Sequence, residues 1–142
     1  MKKVLITIKG LQGADGDSNT VEFMTEGIMR KAEDDYILSF NDTRILGDSD
    51  KNGVKTRITA RGKNKVIVER EGGISSRLII ESGVRTTCFY SVPQGDLTLG
   101  IYGKTVKNGI TDNGGRLLMT YSVDANMQRL SENSVEINVK EV

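Results

Sequence analysis

The sequence predicts an all-β protein: a single up-and-down antiparallel β-barrel of about nine or ten strands, with residues 1–142 forming one domain. Three observations lead there. Apolar and polar residues alternate along most of the chain, the period of a strand with one buried face. Asn-Gly and Gly-Gly steps stand between the alternating runs, where hairpins need positive φ. The runs also follow one another at hairpin spacing, which favours a meander that hides its edges by closing on itself. A chain of 142 residues can bury roughly 68–70% of its unfolded surface, so one core is enough.

The elements follow in order. Val4, Ile6 and Ile8 alternate with Lys3, Thr7 and Lys9, giving a strand over 3–10. A second covers 20–30. Part of it, "MTEGIMRKAE" (Met24–Glu33), could alternatively be a helix, but Gly27 in its middle costs about 1 kcal/mol against alanine. The preferred reading is a strand kinked or bulged at Gly27. Tyr36, Leu38 and Phe40 mark a strand over 35–45, and Val54, Thr56, Ile58 and Ala60 one over 54–61. Further strands are expected over 65–71, 75–81, 85–92, 96–106, 116–124 and 134–141. Asn52-Gly53, Gly72-Gly73, Asn108-Gly109 and Asn113-Gly114-Gly115 supply corners between them.

Composition excludes several functions. The net charge of +1 provides no global field for nucleic acid or an anionic membrane, so neither is an expected partner. A local exception lies between Lys51 and Arg70, where Lys51, Lys55, Arg57, Arg61, Lys63, Lys65 and Arg70 meet a single acid, Glu69. That stripe reads as a solvated strand face or as a surface for an anionic partner. Cys88 is the only cysteine, which precludes an intramolecular disulfide. The start "MKKVLITIKGL" alternates as a strand and not as a signal peptide, and no apolar run approaches the roughly 20 residues of a membrane span. A cytoplasmic location is expected.

Histidine is absent, which removes His-based general bases, His–zinc clusters and Ser-His dyads. Cys88, between Thr86 and Tyr90 in phase, reads as an inert strand position. "GLQGADG" (Gly10–Gly16) imitates a phosphate-cradling loop, but a strand follows it where that chemistry needs a helix. It is read as a flexible ten-residue connection at the barrel rim. "GDSDKNGV" (Gly47–Val54) imitates half a calcium loop. Position twelve from Asp48 is Thr59 instead of a bidentate carboxylate, and the flanks alternate as strands, so a hairpin corner is the better reading. No metal, cofactor or catalytic residue is expected.

Charged residues in apolar phase are the positive signal. Arg70 is in register with Val66 and Val68, Arg85 with Thr87 and Phe89, and Arg116 with Leu118; Tyr121 follows Leu117 and Met119. A buried arginine is costly unless paired, and its planar fork suits a carboxylate or phosphate. Arg70, Arg85, Arg116 and Tyr121 are therefore candidate lumen residues for a small anionic or amphipathic ligand. The bland alternative is that these arginines reach water at strand ends or pair with Glu69 and Glu81.

A resemblance adds to this. "VEFMTEG" (Val21–Gly27), "REGG" (Arg70–Gly73), "ESG" (Glu81–Gly83), "YSVPQGDLTL" (Tyr90–Leu99), "GGRLLMTYSV" (Gly114–Val123) and "SENSVEINV" (Ser131–Val139) occur in the order found in the YwiB-like family of small bacterial proteins of unknown function. The resemblance spans roughly residues 3–140 and implies a calycin-like, lipocalin-type barrel. Gln94 departs from it, since the family often has an aromatic there. It carries no catalytic residues across. A non-enzymatic barrel with a small ligand in its lumen is the leading expectation. A structural or protein-interaction module, using a sheet edge or the Lys55-Arg57-Arg61 face, is the alternative.

Overall fold

In a computed structural model of the chain, residues 1–14, 17–42, 54–71, 75–92, 95–125 and 128–142 are described. Ten strands form: β1 (Lys2–Ala14), β2 (Asp17–Ala32), β3 (Asp35–Asp42), β4 (Val54–Arg61), β5 (Lys65–Glu71), β6 (Ser75–Glu81), β7 (Arg85–Val92), β8 (Gly95–Asn108), β9 (Gly114–Ala125) and β10 (Gln128–Glu141). They make a closed barrel in the order β1-β10-β9-β8-β7-β6-β5-β4-β3-β2, each named pair antiparallel. The meander expected from the alternation is present, and Met24–Ala32 is strand, not helix, with Glu33 in the turn that follows.

Strand ends depart from the expected bounds where pairing outlasts the apolar pattern. β1 and β2 remain in register from Lys2↔Met29 to Ala14↔Asp17, so the segment after Gly10 is a long hairpin and not a ten-residue loop. The corner at 47–53 and the proline-containing turn at 93–94 lie outside the described residues. Register through Gly27 is unbroken, which rules out a bulge there. The glycine answers a close approach: a Cβ would lie 2.6 Å from Ile6 Cδ1 and 2.7 Å from the Ser39 carbonyl oxygen. The bulges occur instead between Gly103 and Thr105 on β8 and between Arg129 and Ser131 on β10. The first flips phase, so that Ile101 and Val106 both point inward and are buried.

The wall is uneven in its pairing. β2 and β3 pair only from Ala32↔Asp35 to Ile28↔Ser39, then part. Among the described residues β6 and β7 pair only at Ser75↔Ser91 and Ser76↔Tyr90. Below that pair a side chain closes the gap: the Thr86 hydroxyl donates to the Ile79 carbonyl at 2.8 Å. The end of β6 turns to β8 instead, where Ser82 bridges Gly103 and its Oγ accepts from the Val106 N–H at 2.8 Å. Gly103 is the required residue there, because any Cβ would collide with the Glu81 carbonyl.

One end of the barrel carries the turns at 33–34, 62–64, 82–84 and 109–113. Its interior is solid. Val4, Val66, Ile80 and Leu117 are each 0% exposed, and Ile110, from the last of those turns, caps them. Ile6, Leu38, Ile58, Ile101 and Ile137 continue the core through the middle. Close packing of this kind leaves little room for a ligand. The opposite end, reached by Thr56, Arg70 and Ser76, is built differently.

Candidate functional site

Arg70 is the fifth-strand residue that alternation aims inward after Val66 and Val68. Its cross-strand neighbours are Thr56 on β4 and Ser76 on β6, so three polar side chains stand in one lateral row on the interior face. Directly opposed Cβ atoms in such pairs are about 4.5–5.5 Å apart. Phe40, opposite Thr56 on β3, ends the row with an apolar wall, and its ring lies 6.1 Å from that of Phe23. One step deeper the same strands present Ile58, Val68 and Leu78, which join the core.

Two atoms of that row are out of balance. The Arg70 Nε and the Thr56 Oγ1 are buried without a hydrogen-bond partner, and Thr56 as a residue is only 2% exposed. Buried polar groups are nearly always bonded, and leaving one unmade costs about 1–3 kcal/mol. Arg57 makes the contrast clear. Its Nε also lacks a hydrogen bond, but Glu69 Oε1 lies 3.6 Å away and compensates its charge. No carboxylate pairs with Arg70 among the described residues.

The other sequence candidates are placed elsewhere. Arg85 and Arg116 lie on the outer face, which corrects their assignment to the lumen. Arg85 reaches over Gly100 to Asp124, with Nη2 2.6 Å from Oδ1. That bond raises the Arg85 pKa above its ordinary value. Arg116 Nε lies 3.0 Å from Glu136 Oε1 on β10. The reason is phase: Phe89, which shares phase with Arg85, is 68% exposed, and the inward set on β9 is Leu117, Met119, Tyr121 and Val123. Tyr121 does face inward, half-buried against the core. Its lateral neighbours are Asn133 and Gly103, and β9 stands four strands around the barrel from β5, so it is not part of the lateral Thr56–Arg70–Ser76 row.

Cys88 is 2% exposed, and burial pushes its thiol pKa up; the Arg77 main chain and the Arg70 charge act in the opposite direction. This supports an inert thiol. The basic stripe of β4 is countered from both sides, by Asp35 at 2.9 Å from Arg61 and by Glu69 near Arg57. Among the described residues no group of three or more Cys, Asp or Glu could hold a metal ion. An open cleft of about 530 Å³ lies where β2 and β3 part, lined in part by Lys3, Glu26, Ile28, Ser39, Phe40 and Lys55.

Thr56 escaped the sequence reading because a threonine alternating with Ile58 looks like an ordinary strand residue. The signal was available in principle: Thr56 is polar, shares phase with Ile58 and Ala60, and pairs opposite Arg70 once the 62–64 hairpin sets the register.

Fold and site together define a ten-stranded barrel whose interior is apolar at one end and at the other carries an arginine that no carboxylate pairs among the described residues. Residues 6–137 match the family described as "Domain of unknown function (DUF1934)", and the chain belongs to that family. A relative, "Uncharacterized beta-barrel protein YwiB" of Bacillus subtilis (strain 168), is 24% identical over 120 residues, covering 84% of this chain and 80% of that protein. The fold is also similar to "Crystal structure of ywiB protein from Bacillus subtilis", with a TM-score of 0.87 at 20% identity over 99% of this chain and 92% of that one.

Proposed function

We propose that this protein is a non-enzymatic binding barrel that holds a small anionic or amphipathic ligand in the interior at the Arg70 end. The observation that carries the reading is the buried Arg70 Nε without a hydrogen-bond partner, in a polar row with Thr56 and Ser76 above an apolar core. A ligand anion would supply the missing partner. The packed core below Ile58 and Val68 limits such a ligand to the upper part of the interior. The reading is therefore of a shallow pocket rather than of a lumen hollow throughout.

Native mass spectrometry of the protein purified from its own host tests this. A copurifying small molecule in the wild type, absent from Arg70→Leu, is the expected result. Reproducibly empty wild-type protein, or the same adduct on both proteins, would overturn the assignment.

A second reading, a protein-interaction module, is favoured by the cleft where β2 and β3 part. Ile28, 45% exposed, lines it, and Met24, 62% exposed, lies further along the same outer face of β2. Crosslinking in host lysate through a photoreactive residue at position 24 checks it. A single discrete partner supports this reading, and a smear or no product removes it.

A further inference from the structure

We infer that the Arg70 end takes a singly charged oxyanion carried on an apolar group, and that the Thr56 hydroxyl is its second donor. This rests on the binding reading above and makes it specific.

The two unpartnered atoms belong to directly paired residues of β4 and β5. The Arg70 Nε can only donate, and the Thr56 hydroxyl can donate to the same acceptor. An oxyanion with two or more oxygens between them satisfies both at once, as a charge-assisted pair of hydrogen bonds. The Ser76 side chain, on the other flank of Arg70, is positioned by register to add a third donor. A water molecule would meet the hydrogen-bonding needs but leave the guanidinium charge uncompensated, so the charge is what points to an anion.

Charge counting selects the class. Among the described side chains of interior phase at this end, Arg70 is the only charged one; Arg57, Glu69 and Arg77 face outward and pair with one another. The Cys88 thiol, inward on β7, is held toward its neutral form by burial. One guanidinium matches one negative charge. A phosphate monoester dianion would bring a second charge into the interior with no partner, whereas a carboxylate or sulfonate would not. Half-buried Ile8, Leu78, Val123 and Val135 line the interior alongside the core and provide contact for an apolar remainder. The oxyanion is held at the level of the Thr56–Arg70–Ser76 row, with the apolar remainder against these residues.

Isothermal titration calorimetry with octanoate, octanesulfonate and octyl phosphate tests the inference. Wild-type protein is expected to bind octanoate and octanesulfonate at pH 8 at least tenfold more tightly than octyl phosphate. Lowering the pH toward 5.5 should close the gap, because a phosphate monoester becomes a monoanion below its second pKa of about 6. Arg70→Leu is expected to abolish binding of all three. Thr56→Val should weaken octanoate by about tenfold, the usual effect of losing one charge-assisted hydrogen bond, and Thr56→Ser should restore it. Equal or tighter binding of the dianion at pH 8 would overturn the single-charge inference while leaving the binding barrel intact. Octanoate binding indifferent to Thr56→Val would remove Thr56 from the site. No binding of any probe would overturn the inference outright, and the host-purified adduct would then decide the broader reading separately.

Discussion

The two ends of the barrel interior grow from the same alternation and are finished in opposite ways. At the turn end the inward positions are Val4, Val66, Ile80 and Leu117, all sealed from solvent, with Ile110 across them. At the other end the inward positions of three successive strands are Thr56, Arg70 and Ser76. A protein selected only for stability would continue the aliphatic layer, since replacing buried polar groups by apolar ones of similar volume is neutral or stabilising. The difference teaches that one end maintains the fold and the other is kept polar for something else. Real proteins break local rules at functional sites more than elsewhere.

The sharpest way to break this comparison is within β6, which contributes to both ends. Ile80→Ala is expected to cost about 2–5 kcal/mol, the usual range for a fully buried aliphatic residue that leaves a cavity. Leu78→Ala, one inward position toward the polar end and only half-buried, should cost clearly less. Urea unfolding of both variants measures the difference. Equal losses would mean that the two ends are packed alike.

Next in size are changes that should stabilise. Thr56→Val removes a buried hydroxyl with no partner and keeps the shape, so unfolding should become harder by about 1–2 kcal/mol. The same substitution at Thr86, whose hydroxyl bonds the Ile79 carbonyl, should destabilise instead. Chemical denaturation of the two threonine variants side by side shows whether the signs differ as expected.

A smaller effect distinguishes the turn-end rim, where Tyr36 donates to Asp112 at 2.6 Å and Lys31 and Lys2 lie close by. The Tyr36 bond, then the Lys31 charge, holds the Asp112 carboxyl below its ordinary pKa. Its contribution to stability is therefore complete above the unfolded carboxyl value, about 4, and is lost as pH falls through the lower folded value. The same bond raises the Tyr36 pKa, so at the alkaline limit its contribution is full below about 10 and lost as pH rises past the folded value. Asp112→Asn should flatten both limbs of a melting temperature against pH profile. An unchanged profile would show that the rim contact is not formed.

The smallest expected change is at Arg85→Ala on the outer face. The Arg85 side chain is 43% exposed and that of Asp124 16%, so the pair is partly shielded; the loss should be modest and should shrink in high salt. Melting in low and high salt checks this.

Much of the architecture was legible in the sequence because strand period two is a strong signal. The bounds of β4 to β7 follow directly from it, since each of those strands is short and flanked by a turn. Pairing beyond the apolar pattern was not legible: β10 begins at Gln128, ahead of its apolar residues, because the hairpin with β9 extends past the core. Nor was the β8 bulge, which depends on Gly103 fitting under the Glu81 carbonyl rather than on any local pattern. The candidate site divides along the same line. Arg70 was assignable although Ile67 makes β5 apolar in both phases, because the 62–64 hairpin sets Val66 and Val68 opposite Ala60 and Ile58 of the cleanly alternating β4. β7 and β9 carry apolar residues in both phases, with Phe89 exposed and Leu118 half-buried outside, so Arg85 and Arg116 were read onto the wrong face. Thr56 needed a partner strand before its polarity meant anything.

The most direct test is a thermal melt of wild type and Arg70→Leu, each with and without octanesulfonate. An arginine retained for binding at a cost in stability predicts that Arg70→Leu melts higher than wild type without the anion, and that only wild type shifts upward with it. An Arg70→Leu protein that melts lower than wild type, or that responds to the anion as wild type does, would contradict it.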